Sequence, residues 1–139
     1  MTTAFQSVAE IPLGFWRWPH FQPEEMRDRL DGSLLVDPAF MDTLEALRVS
    51  CDFPLPISSA YRTPAHNQTV SSTQSPTGPH TLGLAVDIAI GCNDPRAFYL
   101  LQAAFALKFQ GIEATKDHIH LDMAPSRPDA PRPYFWVSV

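Results

Sequence analysis

Leu84–Ala85–Val86–Asp87–Ile88–Ala89–Ile90 is the stretch on which the fold turns. Leu84, Val86, Ile88 and Ile90 alternate with Ala85, Asp87 and Ala89. That period of two predicts a strand with one face in the core and a small-residue face carrying a single carboxylate. Lys116–Met123 alternates in the same way, with His118, His120 and Asp122 on one face and Ile119, Leu121 and Met123 on the other. Both strands therefore have an apolar back and an ionisable front.

The flanking segments supply the rest of the sheet and its helices. Asp37 and Pro38 suit the N-cap and first position of a helix that stops before Cys51, with Phe40, Met41, Leu44 and Leu47 on its core stripe. Asp94–Pro95 opens another helix, expected to run to about Phe109 with Phe98, Leu101, Phe105 and Phe109 on one stripe and Gly111 as its stop. Pro23–Leu30 reads as a short helix ended by Asp31–Gly32, and Ala65–Val70 as another. Leu55–Ala60 reads as a strand that starts late or lies at an edge, because of Pro54 and Pro56. Ile112–Ala114 and Tyr134–Val139 complete the strands. Helices and strands do not alternate strictly, which predicts an α+β fold with a small, mostly antiparallel sheet packed with helices.

At 139 residues the chain is expected to form one domain over 1–139. Residues 1–22 are its N-terminal segment, pinned to the core by Trp16, Trp18 and Phe21, and 124–139 a proline-rich C-terminal segment. Fourteen prolines predict a loop-rich chain with short elements. A net charge of −5 argues against a nucleic-acid partner. No apolar run approaches the ~20 residues of a membrane span, so no membrane insertion is expected. Met1–Phe5 shows no secretory signal pattern. Cys51 and Cys92 are expected to be two buried, unpaired thiols.

An ionised carboxylate inside a sheet is costly unless it is paired or bound to a metal, and Asp87 has no basic neighbour nearby in sequence. His80, one turn before the first strand, and His120, on the second polar face, can converge on it. Two imidazoles and a carboxylate suit zinc with a fourth position open for water. The same residues are also compatible with a turn-capping aspartate and structural histidines.

Three motifs stand together: Ser58–Ser59–Ala60–Tyr61–Arg62–Thr63–Pro64, His80–Thr81–Leu82–Gly83–Leu84–Ala85–Val86–Asp87 and Asp117–His118–Ile119–His120–Leu121–Asp122. In order and separation they resemble the zinc D-alanyl-D-alanine carboxypeptidase family, peptidase M15. That family also holds D-Ala-D-Ala dipeptidases and phage L-alanyl-D-glutamate endopeptidases. The likeness is to its small C-terminal-domain type and runs from about Phe15 to Met123. It implies a Hedgehog/DD-peptidase-like fold and one Zn²⁺ held by His80, Asp87 and His120. It further implies Asp117 as general base for a metal-activated water, with Arg62 and His118 beside the site. Arg62 would bind the developing oxyanion or a substrate carboxylate. His118 would hydrogen-bond the intermediate or orient Asp117.

The implied substrate is the peptidoglycan stem peptide, cut by a D,D-carboxypeptidase or an endopeptidase, as in a phage endolysin. The chain would act as a monomer in the periplasm or cell wall, after cytoplasmic synthesis and release by lysis or a holin. The alternatives are a non-catalytic zinc-holding binding or structural module of the same fold and a virion-associated wall-degrading component. Asp122 is expected to orient a histidine nitrogen, Asn67 to hold the loop after Arg62, Tyr61 to pack beneath the site and His66 to be exposed. Two departures stand out. Gly78 replaces the serine usual two positions before the first ligand histidine, and the glycine-rich tract before the final motif is compressed to Gln110–Lys116.

Overall fold

The computed structural model describes residues 1–138. Its centre is a five-stranded mixed sheet, built from β3 (Ile57–Ser59), β4 (Ala85–Ile88), β5 (Gly111–Thr115), β6 (Ile119–Asp122) and β7 (Tyr134–Ser138) in the order β3-β4-β6-β5-β7. Three of the pairings are antiparallel, and β7 runs parallel to β5. β3 is an edge strand, as Pro54 and Pro56 predict. Val139, the last residue of the expected final strand, lies outside the described residues.

A second, two-stranded antiparallel sheet, β1 (Thr3–Phe5) with β2 (Leu34–Val36), was not foreseen from the sequence. Each strand has only three residues, too few for alternation to register. It draws the N-terminal segment onto the core, where Phe5, Trp18 and Phe21 are buried.

Among the described residues four α-helices accompany the sheet: α1 (Pro23–Met26), α2 (Pro38–Cys51), α3 (Pro64–Val70) and α4 (Arg96–Ala106). α2 forms as expected. The Asp37 carboxylate accepts from the Phe40 N–H at 2.9 Å, and Phe40, Met41, Leu44 and Leu47 are all buried. Each such side chain contributes about 1.5–3 kcal/mol of apolar transfer. α1 is one turn only, followed by a hydrogen-bonded turn through Asp28 and Gly32, not the eight-residue helix expected.

α4 corrects the expected stripe. Its buried residues are Ala97, Leu100 and Ala104, while Phe98 and Phe105 face outward. Small alanines let the helix approach α2 closely, and the phenylalanines do not fit that gap. Phe105 packs instead on Phe135 of β7 at 5.7 Å between ring centroids. Phe109 is buried against Phe40, beyond the end of the helix. Gly111 is not the helix stop. It opens β5, and its lack of a Cβ serves another purpose, described below. Cys92 is exposed rather than buried, Cys51 is half-buried, and both are free thiols.

Val86, Ile88, Ile112, Ala114, Ile119 and Leu121 turn one face of the sheet into the core with α2 and α4. The opposite face is polar, and its order follows from strand register. Ser59 lies opposite Asp87, Asp87 opposite His120, His120 opposite Glu113, and Glu113 opposite Trp136. Two residues along, on the same face, Ala85, Asp122, Gly111 and Tyr134 form a parallel row.

Candidate metal centre

Asp87 and His120 meet because β4 and β6 place them directly opposite each other in the sheet. His80 arrives from a single 3₁₀ turn, Pro79–Leu82, ended by Gly83 at φ +70°. A Cβ at Gly83 would lie 2.6 Å from the Leu35 carbonyl oxygen, so only glycine allows the chain to double back this close to β2. The outcome is a buried cluster in which His80, Asp87 and His120 each offer a ligand atom, all within 4.8 Å of one another.

The atoms around the cluster decide which nitrogens are available. His80 Nδ1 donates to the Ala60 carbonyl at 2.6 Å, leaving Nε2 turned to Asp87 Oδ1 at 3.3 Å. His120 Nε2 donates to Asp122 Oδ2 at 2.7 Å, leaving Nδ1 3.0 Å from the same Asp87 oxygen. Both far nitrogens thus carry protons held by oxygen acceptors, and both near nitrogens face the carboxylate. That is the arrangement of ligating histidines whose outer partners fix their tautomers. The donor set fits a divalent metal such as zinc.

Charges around the cluster are strongly coupled. Burial works to raise the Asp87 pKa, but the hydrogen bond from His120 and the closeness of both imidazoles outweigh it and hold the group far below the usual carboxylate range. Burial likewise opposes the charged form of His120. The carboxylates of Asp122 and Asp87 override it and push His120 up to about 9. His80 goes the other way, because burial outweighs its contact with Asp87 and keeps it neutral. Asp122 is also held well down, with burial overcome by His120 and Arg132.

Asp122 orients His120, as expected from its place on the polar face. Its own support was not foreseen. Arg132, from the proline-rich C-terminal segment, clamps Asp122 with Nε to Oδ1 at 2.9 Å and Nη2 to Oδ2 at 2.8 Å. Asp122 is fully buried and the Arg132 side chain only 7% exposed. Gly111 makes room for this carboxylate, since a Cβ there would lie 2.2 Å from Asp122 Oδ2. Arg132 also stands over the Trp136 ring at 5.5 Å, and Trp136 packs at 5.8 Å from the His120 ring.

Arg62 is built into the site from the other side. Its guanidinium donates to Ser59 Oγ at 3.0 Å, Asn67 Oδ1 at 3.1 Å and Asp87 Oδ2 at 3.3 Å. It therefore holds the Asp87 oxygen that the histidines leave free. Asn67 passes the order on, donating to the carbonyls of Ser75 and Thr77. This, with Thr81 Oγ1 donating to the Gly78 carbonyl, braces the loop in place of the serine that Gly78 replaces. His66 is not exposed as expected. Its side chain is 12% exposed and bonds to the fully buried Asp28, which also accepts from the Thr63 N–H at the start of α3.

His118 faces the cluster, with Nε2 4.0 Å from Asp87 Oδ1. Its Nδ1 lies 3.1 Å from Thr115 Oγ1, whose own proton goes to the His118 carbonyl. Nδ1 is thus the donor, and Nε2 is free to take a proton. Asp117 sits in the exposed β5–β6 turn, and its backbone N–H donates to Thr115 Oγ1. Its carboxylate has no ion-pair or hydrogen-bond partner among the described residues and lies outside the cleft lining. The lining carboxylate in β5 is Glu113.

The cluster floors an open cleft of about 690 Å³, walled by Arg62 and the 71–79 loop on one side and by Arg127, Arg132 and Trp136 on the other. Sequence reasoning missed Glu113, Arg132 and Trp136. Period two in β7 puts Trp136 on a polar-face position, but only the β5–β7 pairing says which polar face. Nothing local in Ser126–Pro133 marks Arg132 as buried.

No helix among the described residues is long and apolar enough to cross a membrane. No curated protein matches the chain. A family model described as Peptidase M15 matches residues 19–122, spanning all three motifs and the whole ligand cluster. With a metal-competent His-Asp-His cluster at the floor of its cleft, the chain belongs to the peptidase M15 family and is a metallopeptidase of that family.

Proposed function

We propose that the chain hydrolyses peptide bonds in bacterial peptidoglycan stem peptides, with one Zn²⁺ held by His80 Nε2, Asp87 Oδ1 and His120 Nδ1. One observation carries this reading: three donor atoms converge within 4.8 Å while the far nitrogens of both histidines are already satisfied. Two imidazoles and a carboxylate are the ligand set of hydrolytic zinc. When bound, the ion supplies Lewis acidity and lowers the pKa of water.

The chain's own groups do the rest. Arg62 holds Asp87 Oδ2 and leaves its other oxygen turned toward the histidines. Asp122 and Arg132 fix the ring of His120. His118 faces the cluster through Nε2 and, in its doubly protonated form, would donate a hydrogen bond from that nitrogen to the oxygen on which charge develops. Asp117 is the general base in this reading, and its exposed carboxylate, which lies outside the cleft lining, has to turn inward to act. The chain acts as a monomer at the cell wall or in the periplasm.

The test is digestion of purified peptidoglycan by the chelator-treated and the zinc-reconstituted protein, followed by mass analysis of the soluble fragments. Activity should appear only with zinc. Free D-alanine identifies a carboxypeptidase, and a new N-terminal D-glutamyl residue identifies an endopeptidase. Release of neither by the zinc-loaded protein overturns the proposal.

A further inference from the structure

Among the described residues the cleft is lined by three carboxylates, and two of them are matched. Asp87 has Arg62 and the histidines, and Asp129 has Arg127 at 2.9 Å. Glu113 has no cation within ion-pair distance among the described residues. The hydroxyl of Ser138 donates to its Oε2, and Oε1 has no partner among the described residues. Glu113 is half-buried already.

Register places it with respect to the reaction. Glu113 lies directly opposite His120 and one strand further from Asp87. Nδ1 of His120 points toward Asp87, so the ligand cluster lies on the far side of His120 from Glu113. Two strand spacings put the Glu113 and Asp87 backbones roughly 10 Å apart, which an extended peptide covers in two or three residues. Glu113 is thus too far away to share in the cluster, yet it faces the cleft along which a peptide would lie.

A peptide covering this part of the cleft removes water from the carboxylate. That is unfavourable unless the peptide brings a hydrogen-bonding cation to the same place. We propose that Glu113 is the recognition point for a protonated amino group of the substrate, two or three residues from the bond that is cut. This rests on the peptidase reading above. The amino group is either the α-amine of the peptide or the side-chain amine of a diamino acid, and both present the same chemistry to Oε1.

The probes are synthetic L-Ala-γ-D-Glu-L-Lys-D-Ala-D-Ala peptides, acetylated at the α-amine, at the lysine amine or at both. Binding to the zinc-loaded full chain and to its Glu113→Gln variant is read by stopped-flow tryptophan fluorescence before turnover, and cleavage is then scored by mass in the same samples. A charge-assisted hydrogen bond is worth about tenfold or more in affinity. Acetylation of one particular amine should therefore weaken wild-type binding by ~10-fold or more, and Glu113→Gln should bring the ratio for that amine close to one. The amine that matters identifies the source. A wild type indifferent to both acetylations, or a variant that keeps the wild-type ratio, overturns the inference whether or not peptides are cut. A preserved amine preference without cleavage supports Glu113 and overturns the hydrolase reading instead.

Discussion

Replacing Arg132 by methionine keeps the length of the side chain and removes its charge. In the folded protein Arg132 makes two charge-assisted bonds to a carboxylate that has no exposure at all. Breaking such a pair from one side costs about 3–5 kcal/mol, because the partner charge stays buried. Asp122 keeps the His120 ring at 2.7 Å and the Ala124 N–H at 3.1 Å, so the lower end applies. Loss of the guanidinium over Trp136 adds about 0.5–1 kcal/mol. The sum is roughly 3–4 kcal/mol, a large share of the 5–15 kcal/mol typical of a domain. For a chain of this size it corresponds to a fall in Tm of roughly 10 °C, read by calorimetry on the metal-free protein.

The same substitution loosens the acceptor that fixes the His120 tautomer. Zinc affinity, measured by competition with a chromophoric chelator, should drop by about 10-fold or more. Asp122→Asn combined with Arg132→Met removes the stranded charge and should restore most of the lost stability. A Tm within ~2 °C of wild type for Arg132→Met alone, or a double variant no better than the single one, refutes the reasoning. A fall in Tm with zinc affinity unchanged would confine Arg132 to holding the fold.

Other outcomes follow from the same geometry. Gly111→Ala places a methyl 2.2 Å from Asp122 Oδ2, so it should lower Tm and zinc affinity together, with at least 1–3 kcal/mol lost to overpacking in a thermal melt. In the metal-free protein His120 stays protonated up to about 9 while His80 is neutral, so zinc binding near pH 7.5 should release about one proton. Calorimetry in buffers of different ionisation enthalpy should show that proton, and apparent affinity should rise with pH and level off above about 9. Asp117→Asn should leave zinc affinity unchanged and cut turnover by ~10²-fold or more on a soluble stem peptide. Full activity in that variant would remove Asp117 from the reaction.

Much of this was legible in the chain because it rests on short-range rules. The alternation through Leu84–Ile90 and Lys116–Met123 marks two strands and puts Asp87, His118, His120 and Asp122 on polar faces, since successive side chains point to opposite sides. The Asp37–Pro38 start and the Phe40–Leu47 stripe mark α2 for the same kind of reason. α4 shows where such reasoning fails. Its phenylalanines make the more apolar stripe, yet Ala97, Leu100 and Ala104 face inward, because the space against α2 and not hydrophobicity sets which residues fit.

The amino-acid order thus specified the polar strand faces and the three motifs that carry the family resemblance. Beyond the expected meeting of Asp87 with His120, it did not specify partners across the sheet. Pairing of β7 beside β5 alone brings Trp136 and Arg132 to a centre built by β4 and β6, and the register of β5 on β6 alone sets Glu113 next to His120. Those contacts join residues with no local pattern in common. They arise when a buried carboxylate, Asp122, must find a cation, and the cation within reach comes from a segment that looks from its prolines like a loop.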